Sequence, residues 1–355
     1  MFEQVEFLFV VGRLAYSNAR SVGVKAIIYN RAGDSGVLEL VDRDVQNPQS
    51  GQVRVRVVVS GVNPTDWKSR ATGPVSMPKV PNQDGAGVVD AVGPDVTEFG
   101  VGDRVWLWDV AYQTDEGTAQ QYVTLPANQV VALPDGESFD AGASLGIPAL
   151  TAHLALAANS DGPARLAPGA LDGRFVLVTG GAGAVGHAAT QLAVWAGATV
   201  IATVSGDEKA ELARRAGAHH VVNYRTDDVV AEVSTIAPDG VDTIVDVNMA
   251  ANIETDVRMI GANGTIASYT GGGQINVSAR ALMGRNVRFQ FILTYTASAA
   301  AKANAVSAVS AALGDGALRV GVEHGLPLTR FTLAETAAAH DAVENGTVGK
   351  VLIDI

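Results

Sequence analysis

The sequence predicts an α/β protein with two domains, one built on a doubly wound parallel sheet and the other mainly antiparallel. From residue 175 onward, short apolar β-type runs alternate with helical patterns, which is typical of parallel βαβ units. Before residue 146, many short strand patterns are separated by glycine and proline turns, which indicates a small antiparallel domain. The length of 355 residues is consistent with about two domains.

The antiparallel region begins with strand patterns at residues 25–29 and 53–59, and the second pattern alternates apolar and polar residues at first. A proline-marked turn at residues 61–67 precedes further strand patterns at 85–93, 102–108 and 120–125. We predict that residues 24–146 and the tail, 294–355, form this domain. Residues 1–23 are predicted to be an N-terminal extension.

The stretch that organises the second region is a strand, a glycine-rich turn and a helix. Residues 175–179 form an apolar run, helical spacing follows to residue 196, and residues 199–204 form a second strand pattern. In this context G-x-G-x-x-G spacing favours a pyrophosphate, because glycines admit close backbone approach and the helix N-terminus stabilises negative charge. A tight structural turn is the alternative for glycines alone. The residues predicted to contact a dinucleotide here are Gly181, Gly183, Ala184, Val185 and Gly186.

The alternation continues beyond this stretch. Helical patterns cover residues 207–216, 229–236 and 299–313. Strand patterns lie at residues 221–223, 242–247, 264–269 and 287–292. A sheet of this kind binds its ligand at the carboxyl ends of its strands. We predict that residues 147–293 form the cofactor domain.

Composition excludes some functions. The net charge of −12 argues against nucleic-acid binding, which requires clustered lysine and arginine. The absence of cysteine excludes disulfides and thiolate metal sites and agrees with a cytoplasmic location. Residues 7–11 are apolar but too few to cross a membrane, and the acidic Glu3 and Glu6 precede them where a signal peptide carries positive charge.

Six segments then occur in a familiar order, at residues 61–67, 81–93, 102–105, 146–152, 178–186 and 346–353. Through them the chain from residue 24 to its end resembles the medium-chain dehydrogenase/reductase superfamily. Residues 146–152 and 217–225 are most similar to its zinc-free, zeta-crystallin-like NADPH:quinone oxidoreductases. The resemblance implies a Rossmann cofactor domain and a GroES-like catalytic domain. It also implies a homodimer or homotetramer, with residues 287–294 as the candidate edge strand.

The resemblance also bears on metal binding. Zinc-dependent members hold the catalytic metal with two cysteines and a histidine, and the corresponding positions here are Asn63, Gln83 and Ile147. Tetrahedral zinc sites favour imidazole and thiolate ligands, so we predict no metal. Without a Lewis acid, the alternative to alcohol oxidation is hydride delivery to an electron-poor acceptor, a quinone or a conjugated enone.

The nicotinamide cofactor is predicted from the end of the second strand. NAD-binding folds place an acid there, about 20 residues past the glycines, whereas this chain has Ser205. Lys209 and Tyr224 match family positions that contact a 2′-phosphate, and Arg225 is expected to assist them. Asp207 is predicted to cap the following helix rather than bind ribose. We therefore predict NADPH.

Further site residues follow from the resemblance. Asn63 and Thr151 match residues beside the nicotinamide, although an Asx turn and a bond to the helix backbone are their respective structural alternatives. Lys350 matches a lysine near the cofactor phosphates, and a solvated lysine at a strand end is its alternative. The remaining predicted cofactor contacts are Asn252, Tyr269, Thr270, Gly271, Ile292, Leu293 and Thr294.

The catalytic residues are predicted to be Asn63, Thr65 and Lys68. Members of this family often place a tyrosine facing the substrate a few residues after the Asn-Pro turn, where this chain has Lys68. Thr65, Lys68 and Tyr112 are therefore the candidates for a proton donor.

The predicted function is NADPH-dependent, zinc-independent reduction of a quinone or enone, with no nucleic-acid or membrane partner. An enoyl-thioester reductase of the same superfamily is the nearest alternative. A second class is a zeta-crystallin-like protein with low turnover that binds NADPH or RNA.

Overall fold

The computed structural model describes residues 23–73 and 75–355. The predicted extension therefore lies outside the described residues apart from Gly23, and so does the apolar run at residues 7–11. No helix in the described part of the chain has the length and apolar character needed to cross a bilayer.

The first half of the chain is mostly strand. Its strands are β1 (Val24–Ile28), β2 (Glu39–Arg43), β3 (Gln52–Val62), β4 (Asp84–Val92), β5 (Arg104–Leu107), β6 (Tyr122–Pro126) and β7 (Val130–Ala132). Its helices are α1 (Pro64–Thr72), α2 (Phe139–Gly142) and α3 (Gly146–Leu156).

The second half alternates strands and helices as predicted. Its strands are β8 (Phe175–Thr179), β9 (Thr199–Val204), β10 (His220–Asn223), β11 (Val241–Asp246), β12 (Ile260–Ser268), β13 (Arg288–Phe291), β14 (Leu328–Thr332) and β15 (Lys350–Asp354). Its helices are α4 (Ala184–Trp195), α5 (Asp207–Arg215), α6 (Val229–Ile236), α7 (Met249–Met259), α8 (Ala279–Met283), α9 (Ala299–Gly314) and α10 (Thr336–Glu344).

One sheet is parallel throughout, with the order β10-β9-β8-β11-β12-β13. The chain runs outward from β8 to β10 and then crosses to the other side of β8 to form β11. The strand order therefore reverses between β8 and β11, and a crevice that accepts a ligand is expected outside the carboxyl ends of these two strands.

The other large sheet has the order β14-β15-β3-β4-β5-β7, with β6 also paired to β3. β15 lies antiparallel to β3, with Val351 opposite Val62, so the end of the chain joins the first half as predicted. This pairing brings the first residue of β15, Lys350, beside the start of α1. A separate two-stranded sheet joins β1 and β2.

A continuous apolar core connects the two large sheets. It joins Val59 and Trp106 of the antiparallel sheet to Leu150 of α3 and Leu192 of α4. Helix α9 packs on α3 and α4, so residues 299–314 contact helices that cover the parallel sheet. The α/β fold class with one parallel and one mainly antiparallel sheet is confirmed. The domain borders at 146/147 and 293/294 remain our proposal.

Some local predictions were wrong. The proline-marked turn after β3 is followed at once by helix α1, because Pro64 occupies the first helical position, where a missing N–H costs nothing. Gly206, not Asp207, is the N-cap of α5, and Asp207 lies in its first turn. Strands β2 and β7 were missed, since β2 is mostly exposed and β7 has only three residues.

Candidate active site

A cavity of about 510 Å³ lies between the two sheets, beside the reversal point of the parallel sheet. The start of α1, the start of α3 and Lys350 line it from one side, and the turn after β8 lines it from the other. The predicted site residues in its lining are Asn63, Thr65, Lys68, Thr151, Gly183, Ala184, Val185, Tyr269, Thr270, Gly271, Ile292, Leu293, Thr294 and Lys350.

The glycine turn forms one wall of this cavity. Gly180 adopts φ +69°, a conformation that favours glycine, and its carbonyl accepts from the N–H of Gly183 at 3.0 Å. The N–H groups in the first turn of α4 have no partner within the helix, and Ala184 and Val185 of that turn line the cavity. The turn is therefore suited to a pyrophosphate.

Gly181 and Gly186 do not line the cavity, and packing explains why they are glycine. A Cβ on Gly186 would lie 2.3 Å from the carbonyl oxygen of Gly180, and a Cβ on Gly181 would lie 2.8 Å from the Cβ of Ala202. Gly186 lets α4 begin close to the turn, and Gly181 lets the turn lie close to β9. They hold the turn in shape, and Gly183 is the glycine of the motif that faces the cavity.

A second cavity, of about 220 Å³, adjoins the first through Gly180 and Gly183. The structure brings Ser205, Lys209 and Tyr224 together in its lining, as the sequence predicted. No carboxylate in the described part of the chain lines it, and Asp207 lies outside. One ammonium group and two hydroxyl groups suit a phosphate dianion.

A third cavity, of about 270 Å³, contains Asn252 and Asp256 in its lining. The Nδ2 of Asn252 donates to Asp246 Oδ2 at 2.7 Å, so this side chain fixes the carboxylate at the end of β11. Burial, followed by the charge of Asp246, raises the pKa of Asp256 to about 9. Asp256 is therefore protonated at neutral pH.

A buried ionic cluster closes the first cavity where β15 begins. Lys350 Nζ donates to Asn63 Oδ1 at 2.7 Å and lies 3.5 Å from Asp84 Oδ2. Asn63 Nδ2 donates to the same carboxylate at 2.7 Å. The side chain of Lys350 is only 1% exposed, so the interpretation as a solvated strand-end lysine is wrong.

Burial opposes every charge in this cluster. It raises the pKa of Asp66 to about 8, with the charge of Asp84 as the second cause. It also raises the pKa of Asp84 and lowers that of Lys350, while their mutual attraction opposes both shifts. Asp84 and Lys350 each favour the charged form of the other. The cluster holds the amide of Asn63 in a fixed orientation.

The residues at the three positions that correspond to zinc ligands do not suit the metal. The amide of Asn63 is engaged with Asp84 and Lys350, and Gln83 Oε1 accepts from the N–H of Ala111 at 3.0 Å. Ile147 offers no side-chain ligand. In the described residues no group of three or more histidine, aspartate or glutamate side chains could hold a metal ion.

Thr151 also has a partner that the sequence did not reveal. Its hydroxyl is hydrogen-bonded to that of Thr294 at 2.9 Å, and both residues line the cavity. This contact joins α3 to the segment after β13, and both threonines are buried. The predicted residues Thr151 and Thr294 therefore form one polar pair.

The predicted catalytic residues all line the large cavity but differ in exposure. Asn63 is buried and Thr65 is half-buried, whereas Lys68 is exposed and its ammonium lies 5.7 Å from the ring centroid of Trp67. Sequence reasoning missed Tyr295, which also lines the cavity. The sequence feature that could have indicated Tyr295 is its position directly after Ile292, Leu293 and Thr294, which were predicted to contact the cofactor.

Known proteins resemble the chain over most of its length. Family models match the alcohol dehydrogenase GroES-like domain over residues 49–135 and the zinc-binding dehydrogenase over residues 184–311. Quinone oxidoreductase of Rattus norvegicus is 28% identical over 341 residues, covering 93% of this chain and 97% of the rat protein. The 2-haloacrylate reductase of a Burkholderia species is 32% identical over 340 residues, covering 92% of this chain and 98% of that protein.

A solved structure of a mycobacterial protein complexed with NADPH matches the fold with a TM-score of 0.77 at 28% identity. The match covers 94% of this chain and all of that one. The order of the sequence segments, the two sheets and these relatives all indicate the same superfamily. The chain is an oxidoreductase that belongs to the medium-chain dehydrogenase/reductase superfamily, in its zeta-crystallin-like quinone oxidoreductase branch.

Proposed function

We propose that this chain uses NADPH to reduce a quinone or a conjugated enone, without zinc. The observation that carries this proposal is the continuity of two cavities across the glycine turn. One of them presents Ser205, Lys209 and Tyr224, and the other lies between the sheets beside Asn63 and Thr151. A dinucleotide spans both when its pyrophosphate lies against Gly183 and the start of α4.

The phosphate pocket supports NADPH over NADH. The lysine of this pocket favours a 2′-phosphate, and an acid at the end of β9 would repel one. Ser205 occupies that position here. The mycobacterial neighbour, solved as a complex with NADPH, supports the same cofactor.

The chain's own residues position the reactants. Bound NADPH would supply the hydride. Asn63, oriented by Asp84 and Lys350, and Thr151, oriented by Thr294, would hold the nicotinamide end. Ile292, Leu293 and Val343 supply apolar walls for a flat acceptor.

The relatives' names support the choice of acceptor. The rat protein is a quinone oxidoreductase, and the Burkholderia protein reduces a 2-haloacrylate, which is a conjugated acid. Quinones and enones both accept a hydride at a carbon conjugated to a carbonyl group. Neither requires a metal to polarise an alcohol.

We expect the site to bind no zinc because the side chains that could act as ligands already have other partners. Asn63 and Asp84 are already paired with the ammonium of Lys350, and Gln83 is bonded to backbone. Metal analysis of the purified protein tests this. One tightly bound zinc per chain would contradict it.

We also propose that the chain forms a homodimer or homotetramer through β13, the edge strand of the parallel sheet. Phe291, in β13, and Leu293, just after it, are large apolar side chains that are both more than half exposed. Unpaired backbone groups and apolar side chains at an edge favour pairing with a second strand. A monomeric mass by light scattering would contradict this proposal. The cytoplasmic location stays a prediction.

Stopped-flow loss of NADPH absorbance tests the reductase activity. We expect benzoquinone and cyclohexenone to accelerate NADPH consumption, and an enoyl-CoA to do so less. Faster consumption with the thioester would favour the enoyl-thioester alternative. If no acceptor accelerates consumption while NADPH still binds, the low-turnover binding protein is the better description.

A further inference from the structure

A stacked pair of tyrosines, Tyr112 and Tyr295, reaches the large cavity beside the start of α1. Tyr295 lines the cavity, and the ring of Tyr112 stacks on it with centroids 4.4 Å apart and planes 8° apart. Tyr112 itself does not line the cavity. The stacking fixes the plane of the Tyr295 ring from behind.

The hydroxyl of Tyr295 is oriented across the cleft between the sheets. It is hydrogen-bonded to the hydroxyl of Thr65, in the first turn of α1, at 3.0 Å. This contact joins the segment after β13 to the antiparallel half of the chain, next to Asn63. Tyr295 therefore places a phenol beside the predicted nicotinamide end, on an element other than the one that carries Lys68.

We propose that Tyr295 donates a hydrogen bond to the carbonyl oxygen of the acceptor, where negative charge develops as hydride adds. This inference rests on the proposed reductase function. In an enone the hydride forms a C–H bond at the β-carbon, and the electron pair of the C=C bond shifts until the carbonyl oxygen carries the charge. Solvent water then supplies the proton that completes the saturated ketone. The phenol keeps its own proton throughout.

The electrostatics agree with a donor that stays protonated. Burial, followed by the charge of Asp66, raises the pKa of Tyr295 well above its usual value. A phenol in this environment offers its O–H over the whole neutral range, and Asp66, Asp84 and Asp109 all oppose its ionisation. Donors aimed at a developing oxyanion in a water-poor cavity contribute strongly to catalysis.

The other candidates fit this role less well. Lys68 is exposed and lies against Trp67. Tyr112 is outside the cavity lining, and Tyr269 follows β12 on the cofactor side of the cleft. Thr65 is a partner of Tyr295 and can accept its hydrogen bond in the free enzyme. When an acceptor binds, the phenol O–H turns to the carbonyl oxygen, and the Thr65 hydroxyl donates to the phenol oxygen and keeps the phenol in position.

Tyr295→Phe tests the proposal because it removes one oxygen and keeps the stacked ring. We expect kcat with cyclohexenone to fall by about 100-fold, as for loss of one oxyanion donor, while the Kd for NADPH stays within about 2-fold. Tyr122→Phe makes the same chemical change on β6, outside the cavity lining, and is expected to leave kcat unchanged.

Thr65→Val is a second test, which removes the hydroxyl partner of Tyr295 and keeps the phenol itself. We expect a loss smaller than that of Tyr295→Phe, and the double variant should match Tyr295→Phe rather than multiply the two effects. The inference is overturned if the wild type is active and Tyr295→Phe retains its kcat. A wild type that binds NADPH but reduces neither cyclohexenone nor benzoquinone would overturn the proposed function, and this inference with it.

Discussion

Single residues in this site are fixed by partners far away in the sequence. Thr65 and Tyr295 are 230 residues apart, and Asn63 and Lys350 are 287 residues apart, yet each pair is hydrogen-bonded. The sequence indicated Asn63, Thr65 and Lys350 individually through short motifs. It could not indicate their partners, because tertiary contacts at this separation leave no local pattern. Tyr295 was missed for this reason.

A single buried carboxyl group can make the free energy of unfolding depend on pH. Asp256, on α7, has a pKa of about 9 in the folded chain, against about 4 when unfolded. Between these values the folded state holds a proton that the unfolded state has lost, so the contribution to stability is complete below pH 4 and falls as pH rises towards 9.

Asp256→Asn removes this titration. We expect the melting temperature of the variant to fall less than that of the wild type between about pH 6 and about pH 9. Glu254→Gln, an exposed change on the same helix, is the control and should keep the wild-type dependence. Parallel melting profiles for the wild type and Asp256→Asn would contradict the assignment.

At the scale of elements, the strand–turn–helix unit from β8 to α4 was predicted closely. Its glycine spacing, the apolar β8 and the small residues of α4 are all local signals. The helix α1 was not predicted, because proline after asparagine is equally typical of a turn. Helix α1 packs against α10, a contact between distant parts of the chain that no local pattern shows.

The glycines of the turn give a matched pair of variants. A Cβ on Gly186 meets the carbonyl oxygen of Gly180 at 2.3 Å, whereas one on Gly183 lies 3.4 Å from the same atom, an ordinary contact. We expect Gly186→Ala to lower the free energy of unfolding by about 1–3 kcal/mol through overpacking. Gly183→Ala should stay within about 0.5 kcal/mol of the wild type.

Urea unfolding of the three proteins measures this difference. Equal stability of Gly186→Ala and the wild type would show that α4 is not held against the turn as described. Because Gly183 lines both cavities, Gly183→Ala should weaken NADPH binding even though the fold is retained.

At the scale of the whole molecule, the site exists only because two sheets meet. Ser205, Lys209 and Tyr224 belong to the parallel sheet and its connections, while Asn63, Thr65 and Lys350 belong to the antiparallel half. The isolated bridge between Gly183 and Gly349 joins the cofactor turn to the end of the chain. The family resemblance, carried by the order of the sequence segments, predicted that the two domains form the site together. The shape of the cleft between them became known only from the structure.

The central claim is that the adjoining cavities bind a dinucleotide with a 2′-phosphate. Calorimetric titration of the wild type and of Lys209→Met with NADPH and NADH tests it most directly. We predict that the wild type prefers NADPH and that Lys209→Met loses about 10-fold or more in affinity for NADPH, the effect of one charge-assisted hydrogen bond, with little change for NADH. Equal affinity of the wild type for the two cofactors, or no binding of either, would contradict the account.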